Sequence, residues 1–313
     1  MRLNRRDAVS IGLLAAGGLA LTGRPGNAVA AQARRSGSDD PRPLTVSPPP
    51  SPLTAPAAVA QIEGAGLWYW DTGGSGEAVV LLHAGTGSGL VWGYQQAAFA
   101  AAGFRVIGYS RRGFNGSTAV DSAKPGTSAD DLRMLLDHLR IRKAHLVGTA
   151  AGGFTAASFA LMWPDRVHSL VLACTLLSGA ERAVTSMLTF SREPWYNALP
   201  HEFRELGPSY RAIDKEGVQR WHDLHAVSRG DNAATSQPAG EPATLAAIAR
   251  LAMPVLLLSG DADPISPPPV ARLFHAAIPG STLIVLTECG HSAYWERPQE
   301  FNAAVIGFLR GSR

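Results

Sequence analysis

The chain has 313 residues, 46% of them hydrophobic, which is enough to bury the core of one large domain or two small ones. Its net charge of +3 comes mainly from scattered arginines, with no basic stripe carrying interleaved aromatic residues, so nucleic-acid binding is not expected. The two cysteines, Cys174 and Cys289, match no zinc or redox spacing, and we expect buried free thiols, with one disulfide as the alternative in an oxidising compartment.

The first predicted element is an export signal over residues 1–30. Arg5 and Arg6 precede an apolar run over residues 8–21, and Ala28-Val29-Ala30 is a small-x-small cleavage site. The run is shorter than the roughly 18–20 apolar residues that a spanning helix needs. The paired arginines resemble a twin-arginine signal, which predicts a bacterial protein that is periplasmic or secreted and has no stable membrane anchor after cleavage. An ordinary secretory signal or an uncleaved anchor is the alternative.

A disordered linker is predicted over residues 31–61. This stretch is rich in proline, serine and charge, includes Pro48-Pro49-Pro50, and has no apolar period. Such a composition buries too little surface to offset the entropy of ordering the chain. The folded domain is therefore predicted to cover residues 62–313.

Within that domain, short apolar strands alternate with helical segments, which is typical of a mostly parallel α/β sheet. Strands are predicted over 67–71, 78–83, 104–109, 144–147, 168–173, 254–259 and 282–286, and helices over 128–139, 154–163, 269–277 and 298–309. Over about 176–250 the alternation stops and the chain becomes helical and polar. We interpret this segment as a helical insertion that covers the carboxyl ends of the strands.

A strand, a turn of small residues and a helix meet at Leu146-Val147-Gly148-Thr149-Ala150-Ala151-Gly152-Gly153. This is the context of a G-x-nucleophile-x-G elbow, in which the central residue occupies a strained turn and its flanks must be small. Gly148 and Gly152 are those flanks, so the central position is Ala150. Alanine has no group that can act as a nucleophile.

Three further motifs lie at the ends of predicted strands. Leu-Leu-His-Ala-Gly-Thr-Gly at 81–87 ends in a glycine-rich turn whose backbone N–H groups can face a developing negative charge. Leu-Leu-Ser-Gly-Asp-Ala-Asp-Pro at 257–264 places carboxylates in a loop. Cys-Gly-His-Ser at 289–292 places a histidine just before the last helix.

In this order the motifs resemble those of α/β-hydrolase-fold proteins, in the subgroup with a helical cap, over about residues 62–310. The resemblance implies a mostly parallel sheet flanked by helices, with the cap inserted at about 176–250. It also implies Asp263 as the triad acid, His291 as the base and Ala150 at the nucleophile position, in the chain order that this fold uses. The N–H groups of Gly85 and Ala151 would form the oxyanion hole.

Several assignments have alternatives. Asp261 competes with Asp263 for the acid role, although Asp261 would more naturally bond backbone amides in its own turn. His83 is expected to have a structural role. The loop over 111–117 is similar to a family loop that packs under the site, but Ser110 stands where the family often has aspartate, so no catalytic role is expected for that loop.

Four aromatic residues are candidates to line a substrate pocket, and each could instead belong to the core: Trp92, Trp195, Tyr196 and Trp221. No metal or organic cofactor is implied, because no dinucleotide-binding glycine fingerprint is present and the histidines have no ligand spacing. The expected partner is a small-molecule substrate.

Ala150 excludes the usual covalent mechanism, in which the base deprotonates a serine that attacks the carbonyl. Rescue by another residue is not expected. The side chain of Thr149 should point away from that of Ala150, and the fold presents a nucleophile at none of Thr86, Ser88 and Ser110. Cys174 ends a neighbouring strand and is left as the alternative. Three explanations remain: Ala150 is an engineered substitution, the protein is a catalytically silent binder, or His291 and Asp263 act as a general base. The general base would act on water at a small apolar ester or lactone, or on a substrate proton in a lyase, isomerase or cofactor-free oxygenase reaction.

Overall fold

The computed structural model describes residues 44–177, 181–229 and 237–312. The predicted export signal and the first part of the predicted linker, through residue 43, lie outside these ranges. None of the described helices is long and apolar enough to cross a membrane.

The domain is built around one eight-stranded sheet with strand order β1-β2-β4-β3-β5-β6-β7-β8. The first two strands pair antiparallel with each other, β2 pairs antiparallel with β4, and all the other pairs are parallel. The strands are β1 Ala57–Ile62, β2 Ala65–Asp71, β3 Ala78–Leu82, β4 Arg105–Tyr109, β5 Ala144–Thr149, β6 Val167–Ala173, β7 Val255–Gly260 and β8 Thr282–Leu286. The predicted fold class, an α/β-hydrolase fold with a mostly parallel sheet, is confirmed.

Helices cover both faces of this sheet. They are α1 Gly93–Ala101, α2 Ser128–His138, α3 Ala151–Met162, α4 Arg182–Ser191, α5 His201–Glu205, α6 Pro208–Ile213, α7 Lys215–Ser228, α8 Leu245–Ile248, α9 Pro268–Ala277, α10 Ala293–Glu296 and α11 Pro298–Gly311. Short 3₁₀ turns occur at Gly89–Val91, Pro164–Arg166 and Pro194–Ala198.

The central strands are buried on both faces because successive side chains point to opposite sides of a sheet. In β3, Val80 and Leu82 join the apolar cluster under α2, α3 and α9, whereas Val79 and Leu81 join the cluster under α1 and α11. Parallel strands place all their carboxyl ends at one edge, so the loops that carry the predicted motifs meet there.

Helices α4 to α8 all lie between the end of β6 and the start of β7, where the helical insertion was predicted. We call this insertion the cap. Its α7 end contacts the loop after β4, where the N–H of Asn115 donates to the carbonyl of Ser228 at 2.8 Å. The cap is therefore joined to the sheet domain beyond its two chain connections.

The predicted linker boundary at residue 61 is wrong. Residues 57–62 form β1, an edge strand paired with β2. The preceding residues 44–56, which we call the N-terminal arm, lie along α1: Gln96 Oε1 accepts from the N–H groups of Thr54 and Ala55 at 2.8 and 3.3 Å, and the hydroxyl of Tyr94 donates to Pro48 O at 3.0 Å. Distant side chains thus bond the arm's backbone, a contribution that local composition does not reveal.

The end of β3 and the turn after β5 approach so closely that only glycine fits at residue 152. A Cβ on Gly152 would lie 2.1 Å from the carbonyl oxygen of Leu82. We expect Gly152→Ala to destabilise the protein by about 1–3 kcal/mol or more, the range for overpacking, because backbone atoms cannot rotate away.

The matched control is Gly307→Ala in α11, where an added Cβ meets nothing within 4 Å. It should stabilise the helix by about 0.5–1 kcal/mol. Thermal and urea unfolding of both variants would test the pair, and equal effects at the two positions would contradict the close approach at Gly152.

Candidate active site

The turn after β5 has the geometry of a nucleophile elbow. Ala150 has φ 48° and ψ −117°, a conformation that a non-glycine residue adopts only when the surrounding structure enforces it. Its N–H donates to the carbonyl of Ala173 at the end of β6, at 3.0 Å. A Cβ on Gly148 would lie 2.7 Å from Gly152 O, so both flanks must be glycine. The elbow is complete except for a reactive side chain.

Asp263 and His291 meet at the same edge of the sheet. Asp263 follows β7 and His291 lies between β8 and α10, and His291 Nδ1 donates to Asp263 Oδ2 at 2.8 Å. Asp263 Oδ1 accepts from the N–H groups of Ile265 and Ser266 at 2.8 and 2.9 Å, which fixes the carboxylate. Because Nδ1 is engaged, Nε2 is the atom of His291 available for proton transfer.

The imidazole of His291 is only 4% exposed. Burial alone lowers the pKa of His291, but the charge and hydrogen bond of Asp263, together with the charges of Glu205 and Glu296, outweigh it and raise the pKa. A raised pKa makes the imidazole a stronger base and places its protonation closer to neutral pH.

The turn over residues 83–87, which we call the oxyanion turn, lies against the elbow. A Cβ on Gly85 would lie 3.6 Å from the Cβ of Ala151, so the two predicted oxyanion residues are neighbours. His83 is fully buried, its ring Nδ1 lies 2.7 Å from Ala84 O, and its Nε2 accepts from the N–H of Arg111 at 3.1 Å. These bonds are those of a structural residue, and burial lowers the pKa of His83 so that the ring stays neutral.

A cap carboxylate that the sequence did not single out lies between the oxyanion turn and the histidine loop. Glu205 is 6% exposed, and its Oε2 accepts from the hydroxyl of Thr86 at 2.9 Å. Its backbone carbonyl accepts from the N–H groups of His291 and Ser292, both at 2.9 Å. Burial alone would raise the pKa of Glu205, but His201, the charges of His291 and His225, and Thr86 together lower it. The end of α5 thus holds both loops of the site.

A second buried carboxylate, Glu296 in α10, was also missed. Its Oε2 accepts from the N–H groups of Gly207 and Gly290 at 2.8 and 2.9 Å, and its Oε1 accepts from the N–H of Ser292 at 3.1 Å. Burial raises the pKa of Glu296 to about 7. The one acidic residue of the buried helix Ala-Tyr-Trp-Glu was the available signal, since a buried acid needs partners.

Cys174 lies beside the Asp263–His291 pair. Its Sγ, a carboxylate oxygen of Asp263 and a ring nitrogen of His291 lie within 4.8 Å of one another, which makes them the candidate metal ligands among the described residues. Burial and the charge of Asp263 raise the pKa of the Cys174 thiol well above its ordinary value. Because Asp263 and His291 already bond each other and the thiol keeps its proton, we assign Asp263 and His291 to proton transfer and give Cys174 no part in it. Cys174 and Cys289 are both free and buried, as the sequence suggested.

The four aromatic candidates have different environments. Trp92 has no exposed surface and packs on Tyr294, with ring centroids 5.0 Å apart, so in this conformation it belongs to the core. Trp195 is 60% exposed at the cap surface. Tyr196 is half-buried, and Asp263 is near enough for its charge to contribute to the raised pKa of the phenol, which burial takes to about 12. Trp221 stacks on His225 at 3.6 Å and lines a cap cavity.

The remaining polar candidates do not offer a nucleophile. Asp261 is exposed and its Oδ1 accepts from the N–H of Cys289 at 3.1 Å, as expected for a turn residue. Ser88 bonds the hydroxyl of Ser228, and Ser110 bonds the N–H of Gly89. Thr149 is buried, and its hydroxyl has no hydrogen-bond partner among residues 44–177, 181–229 and 237–312.

Comparison with known proteins assigns the chain to a family. Residues 79–304 match the profile described as the Alpha/beta hydrolase family. The 2-hydroxy-6-oxo-6-phenylhexa-2,4-dienoate hydrolase of Comamonas testosteroni is 30% identical over 264 residues, covering 78% of this chain and 91% of that protein. The 2-hydroxy-6-oxononadienedioate/2-hydroxy-6-oxononatrienedioate hydrolase of Burkholderia vietnamiensis is 31% identical over 261 residues, covering 77% and 90%.

Solved structures agree. A thermophilic esterase from Thermogutta terrifontis superposes with a TM-score of 0.69 at 26% identity, covering 82% of this chain and 99% of the esterase. A hydrolase from Pseudomonas aeruginosa superposes with a TM-score of 0.68, also at 26% identity and with 82% and 99% covered. The chain belongs to the α/β-hydrolase family, and its fold and homologues indicate a hydrolase of that superfamily.

The Asp263–His291 bond predicts the titration of the histidine. In the native protein the pKa of His291 should lie above about 6.5. In Asp263→Asn this pKa should fall, because burial lowers it and the negative charge that most opposes burial is gone. Any activity that needs neutral His291 should decrease as pH falls through the raised pKa. With a folded pKa above the unfolded one, protonated His291 stabilises the fold at low pH, and this contribution is lost as pH rises through the folded pKa.

NMR titration of the ring nitrogens measures this pKa directly. Asp261→Asn is the control, since Asp261 bonds a backbone amide instead of the imidazole. If both variants shift the His291 titration equally, the assignment of Asp263 as its partner is incorrect.

The neutral state of Cys174 predicts a small effect of its removal. Because the thiol holds its proton and is 1% exposed, Cys174→Ala should leave any turnover within a few-fold of the parent. Thr149→Ala should behave in the same way. Steady-state kinetics of both variants provide the measurement, and a loss of more than about a hundredfold in either would identify a substitute nucleophile.

Proposed function

We propose that the protein hydrolyses a small, largely apolar ester or lactone by general-base attack of water, without a covalent intermediate. The observation that carries the proposal is the buried Asp263–His291 pair, bonded at 2.8 Å, at the sheet edge where an elbow presents only the methyl group of Ala150. The base is in place and the side-chain nucleophile is missing. We further propose, on the strength of residues 1–30, that the reaction takes place in the periplasm or outside the cell.

In the proposed reaction, His291 Nε2 removes a proton from water as the water oxygen bonds to the substrate carbonyl carbon. The carbonyl oxygen gains the negative charge, and the N–H groups of Gly85 and Ala151 stabilise it. The tetrahedral intermediate then collapses, the carbon–oxygen bond to the leaving group breaks, and His291 returns its proton to the leaving oxygen. Asp263 stabilises the imidazolium in between.

A second candidate is hydrolysis at a ketone carbonyl. The relative from Comamonas testosteroni is named for a compound with a carboxylate and a 6-oxo group but no ester. Attack of water activated by His291 is the same first step for a ketone, but the bond that breaks afterwards joins two carbons. Both substrate classes therefore belong in one test.

Purified protein beginning at residue 31 should hydrolyse at least one member of a panel of short-chain aryl esters, lactones and vinylogous keto acids, with no burst phase. His291→Ala should abolish most of this turnover, because the general base is lost. Ala150→Ser should introduce a burst and an acyl-enzyme mass, because a serine at the elbow can be acylated.

Two outcomes would count against the proposal. If only Ala150→Ser is active, the parent does not use water directly and is better described as a binder or as an engineered variant. If the parent converts a panel member without consuming water, the reaction is a lyase or isomerase reaction. Product analysis by mass spectrometry separates these results.

A further inference from the structure

Two arginines hold the oxyanion turn by its carbonyl groups. Nη2 of Arg111, in the loop after β4, donates to His83 O at 3.3 Å and to Ala84 O at 3.2 Å. Nη2 of Arg229, at the end of α7, donates to Gly85 O at 3.3 Å. Three successive carbonyls of this turn therefore accept from guanidinium groups.

Phe114 brings the two arginines together. The Cζ atoms of Arg111 and Arg229 lie 4.9 and 5.9 Å from the centre of its ring. The backbones of Phe114 and Arg229 also form a short antiparallel bridge. The loop after β4 and the cap thus each contribute one positive charge at the same place.

Neither charge is neutralised within the part of the chain that the structure describes. No carboxylate of the described residues pairs with Arg111 or Arg229, whereas the adjacent Arg112 pairs with Asp131 at 2.7 Å. Arg111 Nε is buried and has no acceptor there. Burial and the charge of Arg229 lower the pKa of Arg111 to about 10, so it remains charged at neutral pH. Two like charges that have no carboxylate partner among the described residues, beside a partly apolar site, would be stabilised by an anion that joins them.

A cavity of about 420 Å³ opens beside Arg229, and its lining includes Thr86, Trp221 and Arg229. This volume suits a small organic molecule. Thr86 belongs to the oxyanion turn, so the cavity reaches that turn. The acids of this region have partners of their own: Glu202 lies 3.6 Å from His222, and Glu205 bonds Thr86.

We propose that the cavity binds a substrate that carries a carboxylate, with the carboxylate held by Arg229 and the unneutralised charge of Arg111 adding to the attraction. This inference rests on the proposed function, because the bound substrate is oriented with its scissile carbonyl at the oxyanion turn. A carboxylate places a single negative charge at the guanidinium, whereas a phosphate dianion places two there, so Glu202 and Glu205 close by repel the phosphate group more strongly. Arg229 contacts the ligand, whereas Arg111 acts through the potential that it creates.

Ligand binding tests the site without any need for turnover. Glutarate, its neutral analogue glutaramide and inorganic phosphate would each be titrated calorimetrically into the protein beginning at residue 31. Glutarate should bind more tightly than the other two ligands, and its affinity should fall as salt is added. Arg229→Gln should lower the affinity for glutarate about tenfold or more, as expected for loss of a charge-assisted hydrogen bond. The affinity for glutaramide should be unchanged.

The matched control is Arg220→Gln, which removes the same charge from α7, the helix that ends just before Arg229. Arg220 lies near Asp214 and Glu216 and lines a different cavity, so this variant should bind glutarate like the parent. Arg111→Met should lower the affinity for glutarate several-fold. Arg111→Lys should have nearly the affinity of the parent, because the effect depends on the positive charge.

The proposal is overturned if glutarate does not bind, if glutaramide or phosphate binds as tightly, or if Arg229→Gln and Arg220→Gln have equal effects. Failure of the proposed function would look different. If the protein binds glutarate through Arg229 but hydrolyses nothing, the anion site is supported and the hydrolytic mechanism is contradicted. If the parent and Arg229→Gln both hydrolyse phenyl butyrate and monophenyl glutarate with equal KM, the mechanism is supported and the anion site is contradicted.

Discussion

Backbone contact between the elbow and the end of β3 is the constraint on which the rest of the site depends. Gly152 lies so close to Leu82 O that no side chain fits between them, and Gly85 adjoins Ala151 just beyond. The N–H groups of the oxyanion turn and of the first turn of α3 are therefore brought together by main-chain packing. None of these contacts involves the side chain of residue 150, so the site is assembled whether that side chain is reactive or not.

Charge is arranged around His291 in a way that favours its protonated state. Asp263 bonds the ring directly, and Glu296 binds the amides on either side of His291. The charge of Glu205, whose main-chain carbonyl accepts from the N–H of His291, also raises the pKa of the ring. All three carboxylates are buried, so water screens their effect on the imidazole only weakly. A direct water mechanism needs a histidine that can hold a proton while the intermediate exists, and these acids lower the free energy of that state.

The sheet and the Asp263–His291 pair could be predicted from the sequence because their signals are local. Seven of the eight strands follow apolar runs, and the motifs stand at their ends. The edge strand β1 was missed because the residues before it are rich in proline, although its partner β2 follows it directly in the chain. Glu205, Glu296, Arg111 and Arg229 were missed for another reason: each bonds at least one group that is remote in the chain, and no spacing of residue types records such contacts. Trp92 and Trp195 show the converse, since aromatic character alone does not distinguish core, pocket and surface.

The contacts of residues 205–207 restrict how the cap can move. Glu205 O is bonded to two amides of the histidine loop, and Gly207 N is bonded to Glu296, while a Cβ on Gly290 would lie only 2.3 Å from Gly207 N. This short segment cannot lift away without breaking the loop that carries the base. Any movement of the cap that keeps these bonds must pivot about residues 205–207, so the acid–base pair can stay fixed while the rest of the cap moves.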